Sequence, residues 1–121
     1  MTASHSSALR YIEIIQSKTK HNQQLTSTIF NKLFEELPEQ ISIIASALKL
    51  QRYRLAQDTA HKLHGSVSFC DLDELRQAAQ LLENCLAKKN YSSANFAFAD
   101  LQKKIGNFLD HQQIIFDLLG A

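Results

Sequence analysis

Tryptophan is absent from this chain of 121 residues, proline occurs once and glycine three times. So few turn formers exclude the closely spaced hairpins of an all-β fold, and the long stretches between them carry helical periodicity. The expected fold class is all-α. No apolar run reaches the roughly 18 residues that suggest a membrane-spanning helix, and the polar start from Met1 to Ser7 lacks the apolar segment of a secretory signal. No direct membrane contact is expected. An excess of one charge is missing too: 13 basic and 12 acidic residues leave a formal net charge of +1. That near balance argues against a broad nucleic-acid or anionic-membrane surface. Cysteine is scarce, and Cys70 and Cys85 have neither C-x-x-C spacing nor companions for a zinc site. Both read as free thiols used for packing.

What is present suits a single domain over residues 1–121, with 45% hydrophobic content and 1–7 as a flexible lead-in. Ala8 to Ile15, with Leu9, Ile12 and Ile15 on one face, reads as a short accessory helix. The next stretch places Leu25, Ile29, Leu33 and Leu37 on one stripe, which resumes at Ile41, Ile44 and Leu48. Pro38 lies between them, lacks an N–H for the helical ladder and disfavours α geometry at Leu37. A break is expected there, with two helices nearly end to end.

A third segment runs from about Gln51 to Phe69. Asp71 reads as the N-cap of a fourth, with Glu74 three positions on as an acidic capping box. Its buried seam is Leu72, Leu75, Ala79, Leu82 and Leu86, and its polar edge is Arg76, Gln80 and Glu83. Ser92 or Ser93 caps a last helix with seam Phe98, Leu101, Ile105, Phe108, Ile115 and Leu119, interrupted at Gln112. Each rod is apolar on one side and the connections are short. An antiparallel up-down four-helix bundle buries all the seams.

The most informative segment is Ala60-His61-Lys62-Leu63-His64-Gly65-Ser66. Ala56, Ala60, Leu63 and Val67 form one apolar helical face, while Arg54, Asp58, His61, Gly65 and Ser68 follow a parallel spacing off it. His61 therefore points away from the core, as a candidate nucleophile. Glycine costs about 1 kcal/mol against alanine inside a helix, so Gly65 one turn after His61 calls for a reason. Close approach of a partner's backbone is one; a helix crossing or an early C-cap is another. Gly106, inside the last helix, reads as a slight bend or a close helix approach.

These motifs resemble the histidine-containing phosphotransfer (HPt) domains of multistep phosphorelays over most of the chain. The resemblance is carried by Glu36-Leu37-Pro38, Ala47-Leu48, the A-H-K-L-H-G-S core, and the run through Leu75, Ala78 and Leu82-Glu83. It is closest to the C-terminal HPt domain of BarA/GacS-type hybrid sensor kinases. It implies that His61 carries a phosphoryl group, accepted from the aspartyl phosphate of a hybrid kinase's receiver domain and passed to the aspartate of a response regulator. An imidazole whose Nδ1–H is held by a neighbour keeps Nε2 free to attack phosphorus.

The same resemblance places Glu83, twenty-two residues later, as the group that orients the ring. His64 stands where the family often has lysine, in the role of neutralising the phosphate. A histidine does so only when protonated, and free imidazole titrates near about 6.5. His64→Lys is accordingly expected to preserve transfer and flatten its pH dependence. Gly65 gives the receiver's loops access to His61. Arg54, Asp58, Lys62 and Ser68, with Arg52 nearby, are candidates for the partner surface. No resident cofactor or metal is implied; Mg²⁺ belongs to the partner receiver. The expected protein is a monomer without kinase activity of its own, cytoplasmic or the cytoplasmic C-terminal part of a membrane-bound sensor kinase.

The sequence departs from the family at Ser68 and Asp71, where glycine is common. This leaves open the end of the His61 helix and whether Phe69 anchors the bundle or lies on its surface. Two rival readings come from other classes. Asp58-x-x-His61 imitates the carboxylate-x-x-histidine unit of di-iron helices, but such sites need a second unit and further inward glutamates, and the apolar seams hold none. A helical interaction module without phosphorylation would have no need of His61, Gly65 and Glu83 together.

Overall fold

The computed structural model describes residues 3–120, excepting the side chains of Ala3 and Ser4. Six helices follow in chain order: α1 (Ala3–Thr19), α2 (Gln23–Lys49), α3 (Tyr53–Phe69), α4 (Asp73–Ala87), α5 (Tyr91–Leu109) and α6 (Gln112–Leu119). Consecutive helices from α2 to α5 pack on one another, α5 returns to α2, and α1 and α6 lie together against α2. With connections of only 50–52, 70–72 and 88–90 between packed neighbours, α2 to α5 form the expected antiparallel four-helix bundle. No described helix is long and apolar enough to cross a membrane.

The seams expected of α3, α4 and the C-terminal rod are all buried, from Ala56 to Val67, Leu72 to Leu86 and Phe98 to Leu119. The seam of α2 is rotated from expectation. Thr26, Phe30, Leu33, Phe34, Leu37, Ile44 and Ala47 face inward, whereas Leu25 is exposed and Ile29, Ile41 and Leu48 are half-buried. Aromatic bulk accounts for the shift. Phe34 stacks on Phe108 at 5.0 Å between centroids, and Tyr11 meets the same Phe108 edge-on at 5.0 Å.

Pro38 does not divide the first rod. Helix α2 runs through it, with Pro38 on the solvent side and Leu37 and Ile44 both fully buried. These two residues are two helical turns apart, so one straight stripe requires a continuous helix across the proline. Burial along that stripe offsets the missing hydrogen bond to the Phe34 carbonyl, which costs about 3 kcal/mol. The C-terminal rod, conversely, is two helices. Asp110 and His111 form a turn in which the Asp110 N–H bonds to the Gly106 carbonyl and the His111 N–H to Phe108.

Asp71 is not the N-cap of α4; Leu72 is, without a side-chain cap bond. Asp71 adopts φ +57° and completes a Schellman closure of α3: its N–H bonds to the Ser68 carbonyl, and the Leu72 N–H to Val67. Gln51 (φ +57°) and Lys89 (φ +58°) close α2 and α4 in the same way. Asp71 thus takes the left-handed conformation expected of a glycine in this loop, and its side chain pairs with Lys18 at 3.4 Å. The last bundle helix is capped by Asn90, whose Oδ1 accepts from Ser93 N–H, rather than by Ser92 or Ser93. Helix α1 is longer than the expected accessory segment and buries Ala8, Ile12 and Ile15, leaving Leu9 half-buried. Residues 3–7 of the expected lead-in are its first turns; 1 and 2 lie outside the described residues.

Candidate functional site

Leu63 and Val67 on α3 are fully buried, and the helical repeat then fixes His61 on the outside. Its side chain is 74% exposed. Helix α4 lies alongside with Leu82 fully buried, which carries Glu83 to the edge of the α3–α4 seam. Buried alanines on both helices, Ala56 and Ala60 facing the core from α3 and Ala78 and Ala79 from α4, keep the packed surfaces low. A glutamate can therefore span the gap. His61 Nδ1 lies 2.7 Å from Glu83 Oε2.

An ionised carboxylate only accepts hydrogen bonds, which assigns the proton to Nδ1 as donor. In the neutral ring the lone pair then resides on Nε2. The Glu83 side chain is 22% exposed and His64 is 24% exposed. His64 Nδ1 stands 2.9 Å from the second oxygen, Oε1. Oε1 is nevertheless buried without a hydrogen bond, because the short approach lies off the N–H direction that a bond requires. The resemblance pairs Glu83 with His61 and assigns His64 to the phosphate; the structure brings all three side chains together. The i, i+3 spacing of the two histidines was the available signal, since it lets both reach one residue on the next helix.

Gly65 is exposed, and a Cβ placed on it meets nothing within 4 Å. No described helix crosses there and α3 continues to Phe69, so neither a helix crossing nor an early C-cap accounts for the glycine. Gly106 is equally open, which rules out a close helix approach. Lys62 and Asp58 line a shallow depression with Gln57, His61 and Glu83. No motif in the sequence singles out Gln57. Arg54 pairs with Asp58 at 3.8 Å, and both are exposed. Ser68 is half-buried near the end of α3, away from the His61–Glu83 contact, and Arg52 is the N-cap of α3.

Beside Gly65 a groove of about 500 Å³ opens between α2 and α3, floored by Ile29, Leu33 and Ser66. Phe69 lies on its wall and is 65% exposed, with Lys18 Nζ 5.5 Å from the ring centroid. It is a surface residue. Cys70, beneath it, is buried, and burial followed by the nearby Asp71 charge pushes its thiol up from 9.0 to about 11. Cys85 is half-buried, and both thiols are free. Among the described residues no three His, Cys, Asp or Glu side chains are grouped as a metal ion would need.

A family model described as Hpt domain matches residues 28–111. Among solved structures, the chain is similar to the HPT domain of an Hpt sensor hybrid histidine kinase from Shewanella. That likeness has a TM-score of 0.81 at 20% identity, covering 91% of this chain and 95% of the other. No curated protein matches at a significant level.

Proposed function

The chain belongs to the Hpt domain family, and from that premise we propose that His61 is the phosphoacceptor of a phosphorelay. It receives the phosphoryl group from an aspartyl phosphate on a receiver domain and returns it to the aspartate of a response regulator. The observation that carries the reading is the 2.7 Å contact between His61 Nδ1 and Glu83 Oε2 on an otherwise solvent-facing ring.

In the first half-reaction the Nε2 lone pair attacks phosphorus in line. The P–O bond to the aspartyl carboxylate breaks, and that carboxylate leaves with the electron pair. The phosphorylated ring keeps its Nδ1–H and gains positive charge, which the Glu83 carboxylate offsets through the hydrogen bond. In the second half-reaction a response-regulator carboxylate attacks, the N–P bond breaks and the neutral ring returns. Phosphoryl transfer asks for positioning and charge neutralisation; the receiver supplies Mg²⁺ and its basic side chain, this chain the aimed nitrogen. It has no kinase step of its own to perform.

Gly65 leaves room for the receiver's loops, and the groove ending at Phe69 offers an apolar centre to a partner that must leave after each transfer. Such contacts bury below roughly 1,200 Å². The H-K-L-H-G-S run favours a BarA/GacS-type hybrid sensor kinase as the donor, with the protein working on the cytoplasmic side. The test is incubation with a receiver charged by acetyl phosphate. An acid-labile, base-stable label is expected on the native chain and absent from His61→Gln. A label that persists in this variant overturns the assignment, and an unlabelled native chain favours an interaction module instead.

A further inference from the structure

The carboxylate that aims His61 is itself only half restrained. Glu83 Oε2 meets His61, while Oε1 is buried and lacks a hydrogen bond. A buried carboxylate oxygen strongly favours a donor. His64 Nδ1 lies 2.9 Å away, within donor reach of that oxygen once its N–H points along the line between them. The terminal torsion of a glutamate is broad, so a carboxylate held at one oxygen swings easily and one held at both does not. Exposure separates the two imidazoles as well. His61 is open to a partner, whereas His64 is about as covered as Glu83 and is built into the wall between α3 and α4.

We propose that His64 is a positioning residue: it donates from Nδ1 to Glu83 Oε1 and locks the carboxylate so that Oε2 holds the Nδ1–H of His61. This rests on the reading of His61 as phosphoacceptor, but assigns His64 to the resting site rather than to the phosphate. Donation from Nδ1 is available to neutral and protonated His64 alike, so the role does not depend on a positive charge.

Two substitutions separate donor from cation. Asparagine places its amide nitrogen near the position of a histidine Nδ1 and carries no charge; leucine fills the space and donates nothing. In the unphosphorylated chain at about pH 8.5, where free imidazole is neutral, ¹⁵N NMR reads the ring tautomer of His61. The native chain and His64→Asn are expected to show the Nδ1–H form, and His64→Leu a mixture. Transfer from a charged receiver is expected to fall about tenfold in His64→Leu and less than about threefold in His64→Asn. An unchanged His61 tautomer in His64→Leu overturns the proposal. So does His64→Asn as slow as His64→Leu, the mark of a cation acting on phosphate. The tautomer is read without any receiver, so failure of phosphorylation and failure of positioning remain distinguishable, and His64→Asn tests the role should His64→Leu fold poorly.

Discussion

Two histidines on different helices make similar use of Nδ1 in different surroundings. His61 meets Glu83 Oε2 at 2.7 Å on the α3–α4 face, and His111 meets the Asn107 carbonyl oxygen at 2.6 Å between α5 and α6. Each bond directs the proton to Nδ1. The carbonyl belongs to the neighbouring turn and carries no net charge, so it fixes the ring without balancing a positive one. His111 also lies edge-on to Tyr11, 5.6 Å between centroids, at the margin of the aromatic cluster around Phe108 and Phe34. On the proposed reading a held tautomer alone does not make a phosphoacceptor; His61 adds exposure, an anion and an unshielded approach.

The largest effect separates the two rings directly. His61→Gln is expected to abolish receiver-dependent labelling, while His111→Gln leaves it within about twofold, given that exposed single hydrogen bonds contribute little. Labelling lost in His111→Gln would break the contrast. Next comes the aromatic end: Phe108→Ala should cost about 3–5 kcal/mol in denaturant unfolding by leaving a cavity. At the other end, Glu83→Ala should cost under about 1 kcal/mol in stability yet slow transfer by roughly 10- to 100-fold, because the ring loses its aim.

The two open helical glycines sharpen the comparison further. Gly65→Ala and Gly106→Ala are each expected to raise stability by about 0.5–1 kcal/mol, since neither Cβ meets a neighbour. Gly65→Leu alone should slow transfer, by about tenfold or more, through the partner's loops; equal rates in Gly65→Leu and Gly106→Leu would remove the access role.

An effect confined to alkaline pH concerns Cys70. Its folded thiol stays protonated to about 11, whereas the unfolded one ionises near 9.0. The unfolded state therefore binds fewer protons between those values. This contribution to stability is complete below pH 9.0 and is lost as pH rises towards about 11. Native Cys70 and Cys70→Ala, compared in denaturant melts across that window, should converge.

The inward faces of α3, α4 and α5 were legible because a residue every third or fourth position must be apolar to close a bundle. Residues two turns apart hide what happens between them. Leu37 and Ile44 stay in phase across an unbroken proline, and Phe108 and Ile115 stay in phase across a real turn at Asp110–His111. Packing outweighed the breaking tendency of proline in the first case, and in the second both residues stay buried on either side of the turn. The left-handed turn at Asp71 was obscured because aspartate is also a good N-cap; its positive φ and the Leu72–Val67 backbone bond distinguish the two uses. Around His61, spacing pointed to the exposed ring, and the resemblance to the family pointed to the acid on the next helix. It could not give the rotamers that send both oxygens of Glu83 towards imidazoles.

The measurement closest to the central claim is ³¹P–¹⁵N NMR on the chain after phosphorylation by a charged receiver. The geometry requires phosphorus coupled to Nε2 of His61 with Nδ1 still protonated against Glu83. Phosphorus found on Nδ1 of that ring, or on any other residue, would contradict it.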